Sequence, residues 1–206
     1  MKAHNRHMYH FHTKGIKDQI WVPGSQFVVD DSFISNFNDE TLRFSTLLTA
    51  KNGEKCSITD ILSQHFDSNF GDLTDDEKRQ LLTISYSMLN DAAIFLREFG
   101  LEKYRAMYHP ELPSRFHSIW VCNKTGAETW RQILMQEGTE LELLEVELNG
   151  TLFKTSDEFF PPHGFSYLGT FNSADRYWEP DFSQKHDRKL VEYLFQGNVR
   201  VIKKID

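Results

Sequence analysis

One segment limits the choices more than any other. Thr74-Asp75-Asp76-Glu77 has the form of a capping box, in which the threonine hydroxyl accepts from the third helical amide and the glutamate reaches back. Behind it, Leu81, Ile84, Ser85, Met88, Ala92, Phe95 and Phe99 recur at helical spacing. Gly100 has the character of a C-terminal cap. The spacing predicts a helix of about seven turns at 3.6 residues per turn. A second helix from Leu101 to Tyr108 follows, ended by His109-Pro110. Strand patterns flank this helical block on both sides, so the chain reads as α+β.

Met8 to Thr13 alternates and is β-prone, and Lys14-Gly15 ends it. Ile20 to Gly24 is an apolar patch closing in a turn, and Phe27-Val28-Val29 is a second short strand. Asp39 to Phe44 has a helix start, Lys51-Asn52-Gly53-Glu54 a turn, and Ser57 to Phe66 a short helix. Beyond Pro113, the residues Phe116, Ile119, Trp120 and Val121 form a strand, with Ser114, Arg115, His117 and Ser118 crowding its start. Asn123 to Gly126 is turn chemistry and Ala127 to Leu134 a helix. Leu141 to Leu148 is a strand with Glu142, Glu145 and Glu147 outward. Asn149-Gly150 then predicts a hairpin, with Thr151 to Lys154 returning. Asp157 to Gly164 is a loop, Ser173 to Trp178 a short helix, and Leu190 to Ile202 strand, turn, strand about Gly197.

At 206 residues the chain fits one domain, with a helical insertion at about residues 55–110. A net charge of −7 gives no global basic field for nucleic acid. Cys56 and Cys122, far apart, read as free thiols of a reducing cytoplasm. No run approaches membrane-spanning length, and the start lacks the apolar core of a signal peptide, so the expectation is a cytoplasmic protein with no membrane partner. His4, His7, His10 and His12 raise the thought of a metal-dependent hydrolase, but their spacing fits no closed zinc site, and no metal is assigned.

Three separated pieces stand out: Tyr9-His10-Phe11-His12-Thr13, then Ser114-Arg115 with Phe116 to Val121, then Val191-Glu192-Tyr193-Leu194-Phe195. Their order resembles the ADP-ribosyltransferase superfamily. More closely, the chain is similar to a bacterial family of unknown function in that superfamily, with a Tyr-His start, a Pro-Ser-Arg strand and an Ala-x-x-Tyr-Trp helix (here Ala174 to Trp178). The resemblance covers most of the chain outside roughly residues 30–95. It implies a split antiparallel β core with a helical insertion beside a cleft. It also implies NAD as substrate and an RNA, DNA or protein acceptor. The role implied is that of a bacterial toxin or anti-phage effector with an antitoxin partner.

That chemistry develops oxocarbenium character on the ribose carbon as the nicotinamide bond breaks, as in glycoside transfer, and a carboxylate favours such charge. The resemblance places Glu192 there, with Glu179 and Glu158 as alternatives. It gives His10, or His12 on the same strand face, to the ribose or the nicotinamide amide. Arg115 is the candidate for the diphosphate, because its planar fork matches phosphate oxygens. Ser118 is to buttress the glutamate or ribose, and Tyr9, Trp120 or Tyr177 to stack on nicotinamide. Read on spacing alone, Glu192 is an exposed strand glutamate and Arg115 a salt-bridge partner. A non-catalytic nucleotide- or partner-binding module on the same fold is the alternative.

Overall fold

A computed structural model of the chain describes residues 1–15, 17–35, 47–49, 55–57, 63, 74–135, 140–161, 166–183 and 191–205. The fold is α+β. Its strands are β1 (Lys2–Thr13), β2 (Gln26–Val29), β3 (Leu47–Thr49), β4 (Lys55–Ser57), β5 (Ile119–Val121), β6 (Leu141–Ser156) and β7 (Val191–Ile205). Its helices are α1 (Asp75–Tyr108), α2 (Lys124–Met135), α3 (Tyr167–Asn172) and α4 (Asp175–Trp178). Five strands form one antiparallel sheet in the order β1-β6-β7-β2, with β5 also on β7, while β3 and β4 pair separately. Tyr9 and Cys122 exchange two backbone hydrogen bonds of 2.9 Å, so β5 returns to β1 and the strands close a ring. Among the described residues no helix is long and apolar enough to cross a membrane. The helix start expected at Asp39 to Phe44, the turn at Lys51 to Glu54 and most of the helix expected from Ser57 to Phe66 lie outside the described residues.

The hairpin signal at Asn149-Gly150 misleads. β6 runs unbroken from Leu141 to Ser156, and the turn expected about Gly197 is likewise interior to β7. The two glycines are cross-strand partners, and Ala3 and Val29 extend the same row outward. A Cβ on Gly150 would lie 2.2 Å from the Gln196 carbonyl oxygen, and one on Gly197 2.5 Å from that of Asn149. Gly197 also has φ +140°, which L side chains rarely adopt. These glycines permit close backbone approach inside a strand rather than a reversal.

Gly100 does not end a helix either. The capping box forms as expected, with Thr74 Oγ1 accepting from the Glu77 amide at 3.3 Å and Glu77 Oε2 from the Thr74 amide at 2.9 Å. The helix then continues through Gly100 to Tyr108. Gly100 lies against Thr170 of α3, where a Cβ would come within 2.9 Å of Thr170 Cγ2. The helix α2 starts earlier than expected, because Asn123 Oδ1 accepts from the Gly126 amide at 2.8 Å and supplies the helical N-terminus with a partner.

The core has two layers about β6 and β7. Met8, Trp21, Ile119, Leu144, Val146, Leu152, Phe195 and Val201 fill the inside of the strand ring. On the opposite face, Phe153 and Leu194 pack with Leu101, Phe159, Ala174, Tyr177 and Trp178 of the helical layer. Residues 191–195 are therefore buried on both faces. Glu192 shares its face with Leu194, beneath α1 and α4.

Candidate functional site

The site begins with the chain after α1. Glu102 accepts from Arg105 Nη2 at 2.8 Å and from the Arg115 backbone amide at 3.1 Å, while Arg105 Nη1 donates to the Leu112 carbonyl at 3.0 Å. These bonds clamp the segment from His109 to Ser118 onto the last turns of α1. That segment is loop, and β5 is limited to Ile119–Val121. Arg115 thus stands on a clamped loop rather than on the strand expected for it.

From there its guanidinium enters the protein and is 2% exposed. Nε donates to Glu98 Oε2 at 2.6 Å, Nη1 donates to the Tyr177 hydroxyl, and Nη1 lies 3.5 Å from Glu192 Oε1. The Tyr177 hydroxyl donates to the same Glu192 oxygen at 2.7 Å. Trp120, Phe160 and Tyr177 surround the guanidinium with their rings. Arg97 completes the cluster, with Nε and Nη2 donating to Glu98 Oε1 at 3.2 and 3.0 Å. Two cations and two carboxylates balance in a largely buried cluster, which limits the cost of burying them.

The electrostatics follow from these contacts. Burial works to raise the Glu98 carboxyl, but the charge and hydrogen bond of Arg115, then those of Arg97, outweigh it and hold it below the usual carboxylate range. Burial also raises Glu192. Arg115 and the Tyr177 hydroxyl oppose that, the charges of Asp157 and Glu98 add to it, and the net position is above the usual range. Tyr177, buried and next to Glu192, is held well above the usual range for a phenol, although Arg115 opposes this.

Glu192 opens onto a cleft of about 640 Å³, within the size range of ligand sites. Its walls include Tyr9, His10, His12, Trp21, Trp120 and Trp130. His10 stacks on Trp21 with ring centroids 4.1 Å apart, and its Nδ1 is 2.9 Å from the Trp120 carbonyl oxygen. A carbonyl oxygen only accepts, so Nδ1 carries the proton. Burial, opposed by the Trp120 carbonyl and aided by His12, lowers the ring from 6.5 to about 4. His10 is therefore neutral near pH 7, and Nε2 is an acceptor. His12 is differently placed: it is 3% exposed, and its Nε2 is 2.7 Å from Asp18 Oδ1. Of His10 and His12, it is His10 whose acceptor nitrogen has no hydrogen-bond partner among the described residues.

The cleft collects Glu192, Tyr9, His10, His12, Trp120 and Arg115 from widely separated parts of the chain. Two expected residues are absent from its lining. Ser118 is fully buried, and among the described residues its hydroxyl has no hydrogen-bond partner. The register continues it opposite Gln196, four residues along β7 from Glu192, so it does not buttress the glutamate. Tyr177 is fully buried and stacked on Phe160, so it supports Glu192 from below rather than facing a ligand. The fork of Arg115 is committed to Glu98 and Tyr177, which removes it as a ready diphosphate clamp. Glu179 pairs with His109 at 3.1 Å, and neither it nor Glu158 lines the cleft.

Sequence reasoning missed Glu98 and Arg97. The signal for Glu98 was its spacing: it stands three residues from both Phe95 and Leu101, on the apolar stripe of α1. It missed Asp157 as well, a half-buried carboxylate in the cleft just past the end of β6. Among the described residues no group of three or more His, Cys, Asp or Glu is arranged to hold a metal ion. Cys122 is a buried free thiol that burial pushes up to about 12, so it is not a ready nucleophile. A family described as a protein of unknown function, DUF2441, matches residues 8–206. No curated protein matches the chain.

Proposed function

Given that the chain belongs to the DUF2441 family, whose description assigns no activity, we propose that its cleft binds NAD and that the protein transfers ADP-ribose to a macromolecule. The reading starts from the resemblance of the three motifs to ADP-ribosyltransferases, and with it goes a split β core of that type. The observation that carries it is the convergence of those motifs: Glu192, buried and aimed by Tyr177 and Arg115, meets the acceptor nitrogen of His10 across one aromatic cleft.

In this reading ionised Glu192 faces the ribose and favours the positive charge that develops as the bond to nicotinamide breaks. Nε2 of His10 accepts from a ribose hydroxyl or from the nicotinamide amide. Trp21, Trp120 and Tyr9 offer flat apolar surface to the rings. The diphosphate falls to Lys17 and to the Nη1 edge of Arg97, whose Nε and Nη2 hold Glu98, rather than to Arg115; the Arg97 side chain is 19% exposed against 3% for Arg115. The protein acts in the bacterial cytoplasm as a toxin or anti-phage effector, on RNA, DNA or protein, and is restrained by an antitoxin.

The test is incubation of purified protein with NAD labelled in the adenosine part and a cell lysate, divided between protease and nuclease treatment. Macromolecular label that falls by about a hundred- to a thousand-fold in Glu192→Gln is the expected outcome, the usual effect of removing one preorganised electrostatic partner. The treatment that releases the label names the acceptor class. Absence of both NAD binding and nicotinamide release overturns the reading in favour of a non-catalytic module.

A further inference from the structure

We propose that Asp157 is a second catalytic carboxylate, the base that takes the proton from the group attacking the ribose. The inference rests on the NAD reading above and adds the acceptor side of the reaction to it. The attack has a fixed balance. A lone pair of the acceptor O–H or N–H forms the new bond to the ribose carbon. The bond to nicotinamide breaks, and its electron pair neutralises the pyridinium nitrogen. The acceptor proton must leave, and a group in the cleft must receive it.

The other candidates in the cleft are unsuited. Glu192 is held by Arg115 and Tyr177 for its own part. His10 Nε2 is already given to a ribose hydroxyl or the nicotinamide amide in that reading, and its Nδ1 to the Trp120 carbonyl. His12 is tied to Asp18. The Cys122 thiol, pushed up to about 12, stays protonated. Asp157 remains. Thr155 pairs with Glu192 across β6 and β7, and Asp157 stands two residues beyond Thr155, so both carboxylates belong to the same end of the cleft. Asp157 is half-buried and, among the described residues, forms no ion pair; the Glu158 and Asp157 amides and the Ser156 hydroxyl, the last at 3.5 Å, donate to it. Burial first, then the neighbouring charge of Glu158, raises its carboxyl above the usual range. That direction makes it a better proton acceptor than an ordinary surface aspartate.

Azide separates this role from others, because it attacks as an anion and has no proton to lose. Asp157→Ala and Asp157→Asn are compared with wild type for label transfer from NAD to lysate macromolecules, then for nicotinamide release in added sodium azide. Circular dichroism confirms that each variant is folded. The expected result is a fall in transfer of about a hundredfold or more, with azide restoring nicotinamide release in the Asp157 variants and failing to restore it in Glu192→Gln. Transfer near the wild-type rate overturns the inference, as does a loss that azide leaves unchanged, while the NAD reading stands. Wild-type protein that releases no nicotinamide overturns the NAD reading, and this inference with it.

Discussion

At the scale of single residues, burial has set two protonation states that the sequence does not display. His10 is lowered from 6.5 to about 4. The unfolded chain therefore binds a proton below pH 6.5 that the folded protein refuses until about pH 4. Stability is complete above pH 6.5 and falls as the pH drops through that window. The loss attributable to His10 between pH 7 and pH 5 is about 2 kcal/mol. Urea unfolding at the two pH values should show it, and His10→Asn, which keeps a donor for the Trp120 carbonyl, should remove most of it. Arg115 offers a second check. Its removal leaves Glu98 and Glu192 short of a shared cation in a buried space, at a cost of about 3–5 kcal/mol. Arg115→Ala should thus lower the urea midpoint far more than Glu98→Gln, which leaves Arg115 still facing Glu192 and Tyr177. At this scale the resemblance pointed to Glu192 and His10, and the fold brings both to one cleft. Spacing alone read Arg115 as a salt-bridge partner, which it is, but could not name its partners, since those on α1 and α4 lie 17 and 62 residues away.

For the elements, local chemistry was readable wherever a local partner answered it. The capping box at Thr74 formed, and the first strand ended at Lys14-Gly15 as expected. Gly100, Gly150 and Gly197 were misread, because the absent side chain of glycine serves a turn, a cap or a close contact alike. At Gly100 the contact decides. Alanine there gains up to about 1 kcal/mol of helix propensity. Its Cβ would also sit 2.9 and 3.1 Å from Cγ2 and Cβ of Thr170, a buried β-branched residue. Overpacking of this kind costs about 1–3 kcal/mol. Gly100→Ala should therefore lower stability in a urea titration despite the better propensity, and adding Thr170→Ser, which deletes the crowding methyl, should recover part of the loss.

For the whole molecule, the α+β class was legible and the pairing was not. A strand pattern reveals a strand, but β1 meets β6 across more than a hundred residues, and no local signal marks which edge takes which partner. The burial of Glu192 belongs to the same category. Val191-Glu192-Tyr193-Leu194-Phe195 places one carboxylate in a run that is otherwise apolar or aromatic on both faces, a pattern that becomes meaningful once a helical layer covers it. The central position of β7 also affects biosynthesis. Translation delivers residues 191–205 after every other described segment, yet β2, β5 and β6 all pair with this strand. Until it leaves the ribosome, β2 has no neighbour in the sheet, β5 has only the bridge from Cys122 to Tyr9, and the cleft has no Glu192. On the proposed function, the nascent chain is silent until residues 191–205 have joined the sheet and brought Glu192 to the cleft.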